Sequence, residues 1–143
     1  MTLRMNKAER EQFLAGVHVG VVGIAEPGRG PLTAPVWYWY EPGGDLWFET
    51  QPESRKGQLL AVGTRIGLCA QDENPPYAYV SVEGPIIEIA EDDRELHEIP
   101  MAIRYLGEQG GREYIDQLSD GGEWKRYIMR PERWLTLDGA KED

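Results

Sequence analysis

The sequence predicts an antiparallel β-barrel carrying a few helices, mainly-β or α+β in class. Three patterns lead there. Short β-branched and aromatic runs succeed one another, with turns rich in Pro and Gly between them, from residue 17 to residue 50. Helical patterning is confined to the N-terminal segment, a short stretch after Ser54 and a late insertion after Asp92. The strand–helix alternation of a doubly wound sheet is missing, and no GxGxxG follows a strand.

Taken in order, Asn6 and Glu9 form a capping pair for a helix running to about Ala15, where Gly16 stops it. Val17 to Ala25 alternates and is β-branched, as a strand requires. A turn over Glu26–Pro31 leads into a second strand, Leu32 to Tyr40. Alternation along it sends Trp37 and Trp39 to one side and Tyr38 and Tyr40 to the other, so that one pair can face a groove and the other the core. Pro42–Asp45 closes a hairpin onto Leu46–Thr50. Ser54 is the N-cap of a short helix with Leu59, Leu60 and Val62 on its apolar face. Arg65–Ala70 and the long run Tyr77–Ile89 are strands, the latter bent or bulged at Gly84-Pro85. Asp92 and Asp93 open a helical region to about Leu106 that Pro100 divides, and Glu113–Leu118 adds a further turn or two. Trp124–Met129 and Trp134–Leu137 are closing strands, and the polar tail is expected to fray.

The composition narrows the function classes. A chain of 143 residues with 41% hydrophobic and 28% charged residues fits one globular domain, 1–143. A net charge of −10, with Lys and Arg scattered, disfavours a nucleic-acid partner. No apolar run approaches the roughly 18 residues of a membrane helix, and the charged N-terminus does not read as a signal peptide, so the expected location is cytoplasmic. The single cysteine, Cys69, excludes an intramolecular disulfide and a cysteine zinc site; it reads as a buried, inert thiol. His18 and His97 show no metal-ligand spacing, and no metal is expected.

The densest chemical signal is Thr50–Gly57, TQPESRKG. A strand end delivers Thr50, a turn follows, and a helix opens at Ser54 with Arg55 and Lys56 in its first turn. Cations are unfavourable at that end of a helix by a few tenths to about 1 kcal/mol, and a bound anion reverses the penalty. A forked donor beside a point charge suits a phosphate; a solvated basic pair beside Glu53 is the other reading.

Glu53–Gly57 resembles the ESRKG element of the pyridoxine 5′-phosphate oxidases, and Val80–Ile86 (VSVEGPI) resembles their VRVEGPV strand, in similar order and spacing. The resemblance spans roughly residues 30 to 90 and points to the wider split β-barrel flavin and deazaflavin superfamily. It implies a split β-barrel with an N-terminal helix and inserted helices, and a homodimer with the cofactor in a groove between subunits. Carried over by position, Thr50, Arg55 and Lys56 hold a cofactor phosphate with Ser54 beside them. Val36 and Trp37 border the ring through their backbone, and Tyr79 stands where the oxidases tend to carry a Gln near the flavin. Departures are equally specific. Strand Ala34–Trp37 lacks the oxidases' Arg, Ser81 replaces another, and Glu98-Ile99-Pro100 replaces an Arg-Pro element that holds the substrate phosphate. Oxidation of pyridoxine phosphate is therefore disfavoured. Pro35–Tyr38 is similar to smaller members that bind coenzyme F-420 or FMN. The implied activity is hydride transfer between coenzyme F-420, or alternatively FMN, and a small organic substrate. A flavin- or haem-binding module without turnover, or a purely structural dimer, is the alternative. No side chain stands out as an obligatory acid or base, and a proton could come from water or from Tyr79.

Overall fold

The computed structural model describes residues 2–118 and 122–141. Helix α1, Lys7–Ala15, begins at a reciprocal capping box. Asn6 Oδ1 accepts from the Glu9 N–H at 2.9 Å, and Glu9 Oε1 accepts from the Asn6 N–H at 2.7 Å. The strands are β1 (Gly20–Ile24), β2 (Leu32–Val36), β3 (Tyr38–Tyr40), β4 (Leu46–Thr50), β5 (Arg65–Asp72), β6 (Ala78–Glu91), β7 (Lys125–Met129) and β8 (Arg133–Asp138). All pair antiparallel, in the order β2-β1-β5-β6-β7-β4-β3, with β8 on the free side of β6.

Strand β6 belongs to two half-barrels. Ala78–Pro85 pairs with β5, and Ile86–Glu91 pairs with β7. The bend between them is glycine-dependent, because a Cβ on Gly84 would stand 1.8 Å from the Arg130 carbonyl oxygen. The register shift itself falls at Ile86/Glu88, just beyond the Gly-Pro pair. Inward residues of both halves form one core, including Val22, Ile24, Tyr38, Leu46, Phe48, Leu68, Val80 and Met129. Such alternation is what period-two patterning provides.

The strand expected over Leu32–Tyr40 is interrupted at Trp37. The cause is long-range: the Tyr105 hydroxyl accepts from the Tyr38 N–H at 3.1 Å and donates to the His18 carbonyl at 2.6 Å. A side chain thus replaces a ladder partner at the break. β1 likewise starts at Gly20 instead of Val17. Alternation nevertheless holds: Tyr38 and Tyr40 are buried, and Trp37 and Trp39 stand on the other side, half-buried.

Helix α2, Arg55–Leu59, is shorter than the expected apolar face, and Val62 is exposed beyond it. After Asp93, which caps through its carboxylate, comes a π-helical turn, Arg94–Glu98. Pro100 lies in the first turn of α3, Ile99–Leu106, where its missing N–H costs nothing. It therefore opens that helix. Helix α4, Glu108–Gln117, is longer than expected. Gly110 and Gly111 weaken its propensity, yet Gly111 serves packing, since a Cβ there would meet Ile103 N of α3 at 2.5 Å. The tail is docked through residue 141, contrary to expectation. Asp138 N–H donates to the Leu3 carbonyl at 2.8 Å, Gly139 N–H to the Tyr77 carbonyl at 2.7 Å, and Lys141 pairs with Glu9. Residues 142 and 143 lie outside the described residues.

The outer face of the β2-β1-β5-β6-β8 half carries a cross-strand row: Pro35, Val21, Cys69, Ser81 and Leu135. Val21 and Leu135 are exposed. Gly23 and Gly67 flank the row with open space or near-open space where a Cβ would stand. Cys69 is half-buried on this face, less enclosed than expected, and desolvation pushes its thiol up.

Candidate functional site

The helical insertion packs over the outside of the β6-β7-β4-β3 half and leaves a cavity of about 600 Å³ beside it. Val36 and Trp37 from the β2–β3 break, Glu49 and Thr50 from the end of β4, and Lys56 from α2 form one wall. Met101, Tyr114 and Ile115 of α3 and α4 form the other. Volumes of this order take a small organic molecule or a cofactor ring.

The polar end of the wall is tightly built. Ser54 Oγ donates to the Gln51 carbonyl at 2.6 Å and accepts from the Gly57 N–H at 3.1 Å. Its proton is thereby committed, so the buried Thr50 hydroxyl donates across the 3.1 Å contact to Ser54. The turn closes only over glycine, because a Cβ on Gly57 would fall 2.3 Å from the Gln51 carbonyl oxygen. Lys56 is half-buried at the cavity wall and has no ion-pair partner among the described residues. Its neighbour Arg55 turns outward and pairs with Glu26 at 2.6 Å.

Trp37 gives the cavity an aromatic wall. It stacks on Tyr105 with ring centroids 5.0 Å apart and planes 9° from parallel, and lies 5.2 Å from Tyr114. Trp39 is occupied elsewhere, between Trp47 at 5.9 Å and the Arg104 guanidinium at 5.4 Å. Of the residues singled out from sequence, Val36, Trp37, Thr50 and Lys56 share this cavity, and Ser54 supports it through Thr50. Arg55 lies at its outside, and Tyr79 sits on the outer sheet face beside Tyr77, away from the cavity lining.

Sequence reasoning missed an acidic group on the same wall. Glu49 on β4 meets Asp92 and Glu98 from the start of the helical insertion. The Asp92 side chain is 0% exposed, and neither of its oxygens nor Glu49 Oε2 finds an ordinary donor. Desolvation and the neighbouring carboxylates push the Glu49 carboxyl up to about 9. Desolvation also raises Asp92, and desolvation with the Asp92 charge raises Glu98. Two such carboxyls cannot both ionise cheaply, and one shared proton resolves the conflict. No linear spacing joins a strand end to a distant helix start, so no motif announced the group.

A strand shared by two half-barrels, with a lined cavity between barrel and helices, defines a split β-barrel. The chain belongs to the pyridoxamine 5′-phosphate oxidase family, whose model matches residues 6–118. No curated protein matches it in sequence. Solved structures share the fold. A protein described as an F420 reductase superposes with a TM-score of 0.70 at 18% identity, over 87% of this chain and 94% of its own. A conserved hypothetical protein from Mycobacterium tuberculosis gives 0.73 at 23% identity, over 96% and 87%. A FAD-binding protein from Mesorhizobium loti gives 0.63 at 18%, over 92% and 94%.

Proposed function

We propose that this protein is an oxidoreductase that uses a flavin-type coenzyme, coenzyme F-420 in preference to FMN, to reduce a small organic molecule. The carrying observation is the Lys56 ammonium, which has no ion-pair partner among the described residues, beside the buried Thr50 hydroxyl and on the same wall as the Trp37 ring. A half-buried cation without a counter-ion is costly, and a phosphate relieves it. Lys56 and Thr50 would hold the phosphate of the ribityl chain, with Ser54 fixing the Thr50 rotamer. Val36 and Trp37 would border the ring. When bound, the coenzyme supplies hydride chemistry, and the protein supplies position and electrostatics. The F-420 preference draws support from the missing oxidase arginines and from the fold likeness to a protein described as an F420 reductase.

A second subunit belongs to this reading. The uncovered row Val21–Cys69–Leu135 suits apposition of a second copy of the chain, and Tyr79 lies on that same face. Its ring would then border a neighbouring subunit's coenzyme rather than its own.

Fluorescence titration with FMN and coenzyme F-420, side by side, tests the proposal. Tight binding of the deazaflavin, weakened at least about tenfold by Lys56→Ala as loss of one charge-assisted hydrogen bond requires, is the expected result. Preference for FMN overturns the F-420 assignment, and binding of neither overturns the whole reading.

A further inference from the structure

We propose that the helical insertion is a hinged roof over the cavity, latched at its N-terminal end by one proton shared between Glu49 and Asp92 and freed when that proton is lost. The device is independent of which coenzyme the cavity holds. It follows from how the insertion is attached. Ile99, Ala102 and Ile115 form an apolar cluster of their own, separate from the barrel core, and Trp37 is its contact from the barrel. Helix α3 packs chiefly on α4 and on the π-helical turn before it. The insertion is therefore a small unit laid on the sheet, and its two ends decide whether it stays there.

The far end is anchored through backbone carbonyls. Arg104 donates to those of Ala15 and Gly16 at 2.8 and 2.9 Å. The Tyr105 hydroxyl donates to that of His18 at 2.6 Å, and burial pushes its phenol up, so it keeps its proton where Glu49 loses its own. The near end hangs on carboxyls. Glu49 comes from β4 and Asp92 from the junction of β6 with the insertion, and the two side chains meet. Asp92 is fully enclosed, and both of its oxygens and Glu49 Oε2 are buried without a donor. A proton held between them supplies that donor, and with it a hydrogen bond from sheet to insertion. Its loss leaves two carboxylates in contact away from water, and lifting the turn into solvent relieves them. Arg94 and Glu98 of the turn line the cavity, so lifting it opens the cavity at that end.

The groups facing the pair do not take over the proton's part. Arg126 lies opposite Glu49 on β7, but its Nε donates to the Glu91 carbonyl at 3.0 Å and its guanidinium sits 5.2 Å from the Trp47 ring. Lys125 beside it pairs with Glu91 at 2.7 Å. Glu98 brings a third carboxyl toward Asp92, while Arg94 pairs with Asp116 of α4. The Asp93 carboxylate is spent on capping, accepting from the Glu95 and Leu96 N–H groups at 2.9 and 2.8 Å. His97 Nδ1 stands 3.6 Å from Asp92 and accepts from the Asp93 N–H at 3.0 Å, so the neutral ring has no proton there to give. Lys56 of α2 lines the cavity with Glu49. Among the described residues these acids form no metal-ligand cluster.

Methyl carbon-13 NMR of the coenzyme-free protein reads roof and barrel separately. A neutral soluble nitroxide is the probe, because it broadens methyls that solvent reaches. Ile99 and Met101 report on the insertion, Ile24 and Met129 on the barrel, and all four are buried. A carboxyl pushed up to about 9 is roughly 1% ionised at about pH 7 and roughly 90% at about pH 10. Ile99 and Met101 should broaden reversibly across that range while Ile24 and Met129 stay sharp. In Glu49→Gln the amide donates to Asp92 whatever the pH, and Ile99 and Met101 should stay sharp at the alkaline end. Asp92→Asn, donating to Glu49, should behave alike. Sharp Ile99 and Met101 signals in alkaline wild type overturn the proposal. So does broadening of all four methyls together, or broadening that persists in a folded Gln or Asn variant. Where a variant fails to fold, the wild-type contrast between roof and barrel decides alone.

Discussion

Replacing Tyr105 by Phe isolates one oxygen atom at the break between β2 and β3. The ring, and with it the 5.0 Å stack on Trp37, stays. What goes is the acceptor for the Tyr38 N–H and the donor to the His18 carbonyl. Tyr38 is fully buried, so its amide has no water to turn to. An orphaned buried donor costs about 1–3 kcal/mol, and the lost bond to His18 adds about 1 kcal/mol. The expected loss is therefore about 2–4 kcal/mol, read from urea unfolding as a lower midpoint at unchanged slope. In a chain of this length that corresponds to a fall in Tm on the order of 10 °C. Tyr105→Leu should cost about 1 kcal/mol more, because the aromatic stack goes too. A Phe variant within about 0.5 kcal/mol of wild type would refute the claim that this hydroxyl replaces a strand partner.

Other outcomes follow from the same contacts. Glu49 carries a proton in the folded chain up to about 9, whereas the unfolded chain releases it near 4.5. The native state thus binds more protons over that window, and stability falls as pH rises through it. Each pH unit is worth about 1.4 kcal/mol at most, and an open cavity screens part of this, so a loss on the order of 3 kcal/mol is expected across the window. Glu49→Gln should flatten the curve of Tm against pH; an unchanged slope would count against the buried acid. Gly84→Ala places a methyl inside contact distance of the Arg130 carbonyl, so the strands must part there. A loss on the order of 3 kcal/mol is expected by thermal unfolding, and a wild-type Tm would contradict it.

Local signals carried much of the architecture. The capping box, the hairpin turn at Pro42–Asp45 and the period-two patterning all act within a few residues, and their elements appear where those rules place them. The polar corner Thr50–Ser54–Gly57 was legible for the same reason, since one loop builds it. The rest was set at a distance. The break at Trp37 depends on a hydroxyl from α3, and α4 depends on a glycine whose value is contact with α3, against its own propensity. The Glu49–Asp92 pair is visible only once the helical insertion lies on the sheet. Arg55 and Lys56 are adjacent in sequence, yet a salt bridge to Glu26 sends one outward and leaves the other at the cavity.

Strand β6 serves both half-barrels, and that has a kinetic consequence. Its first part is flanked by β5, made before it, and by β8, made last; its second part waits for β7. Neither half can close as a unit of its own, so folding is governed by non-local pairings and should be slow for the chain's size. During synthesis the N-terminal hairpins would stand with an open edge until residues 133–138 have left the ribosome. The cavity, with one wall built from β4 and α2 and its roof from the insertion, is then completed near the end of folding rather than inherited from an early intermediate.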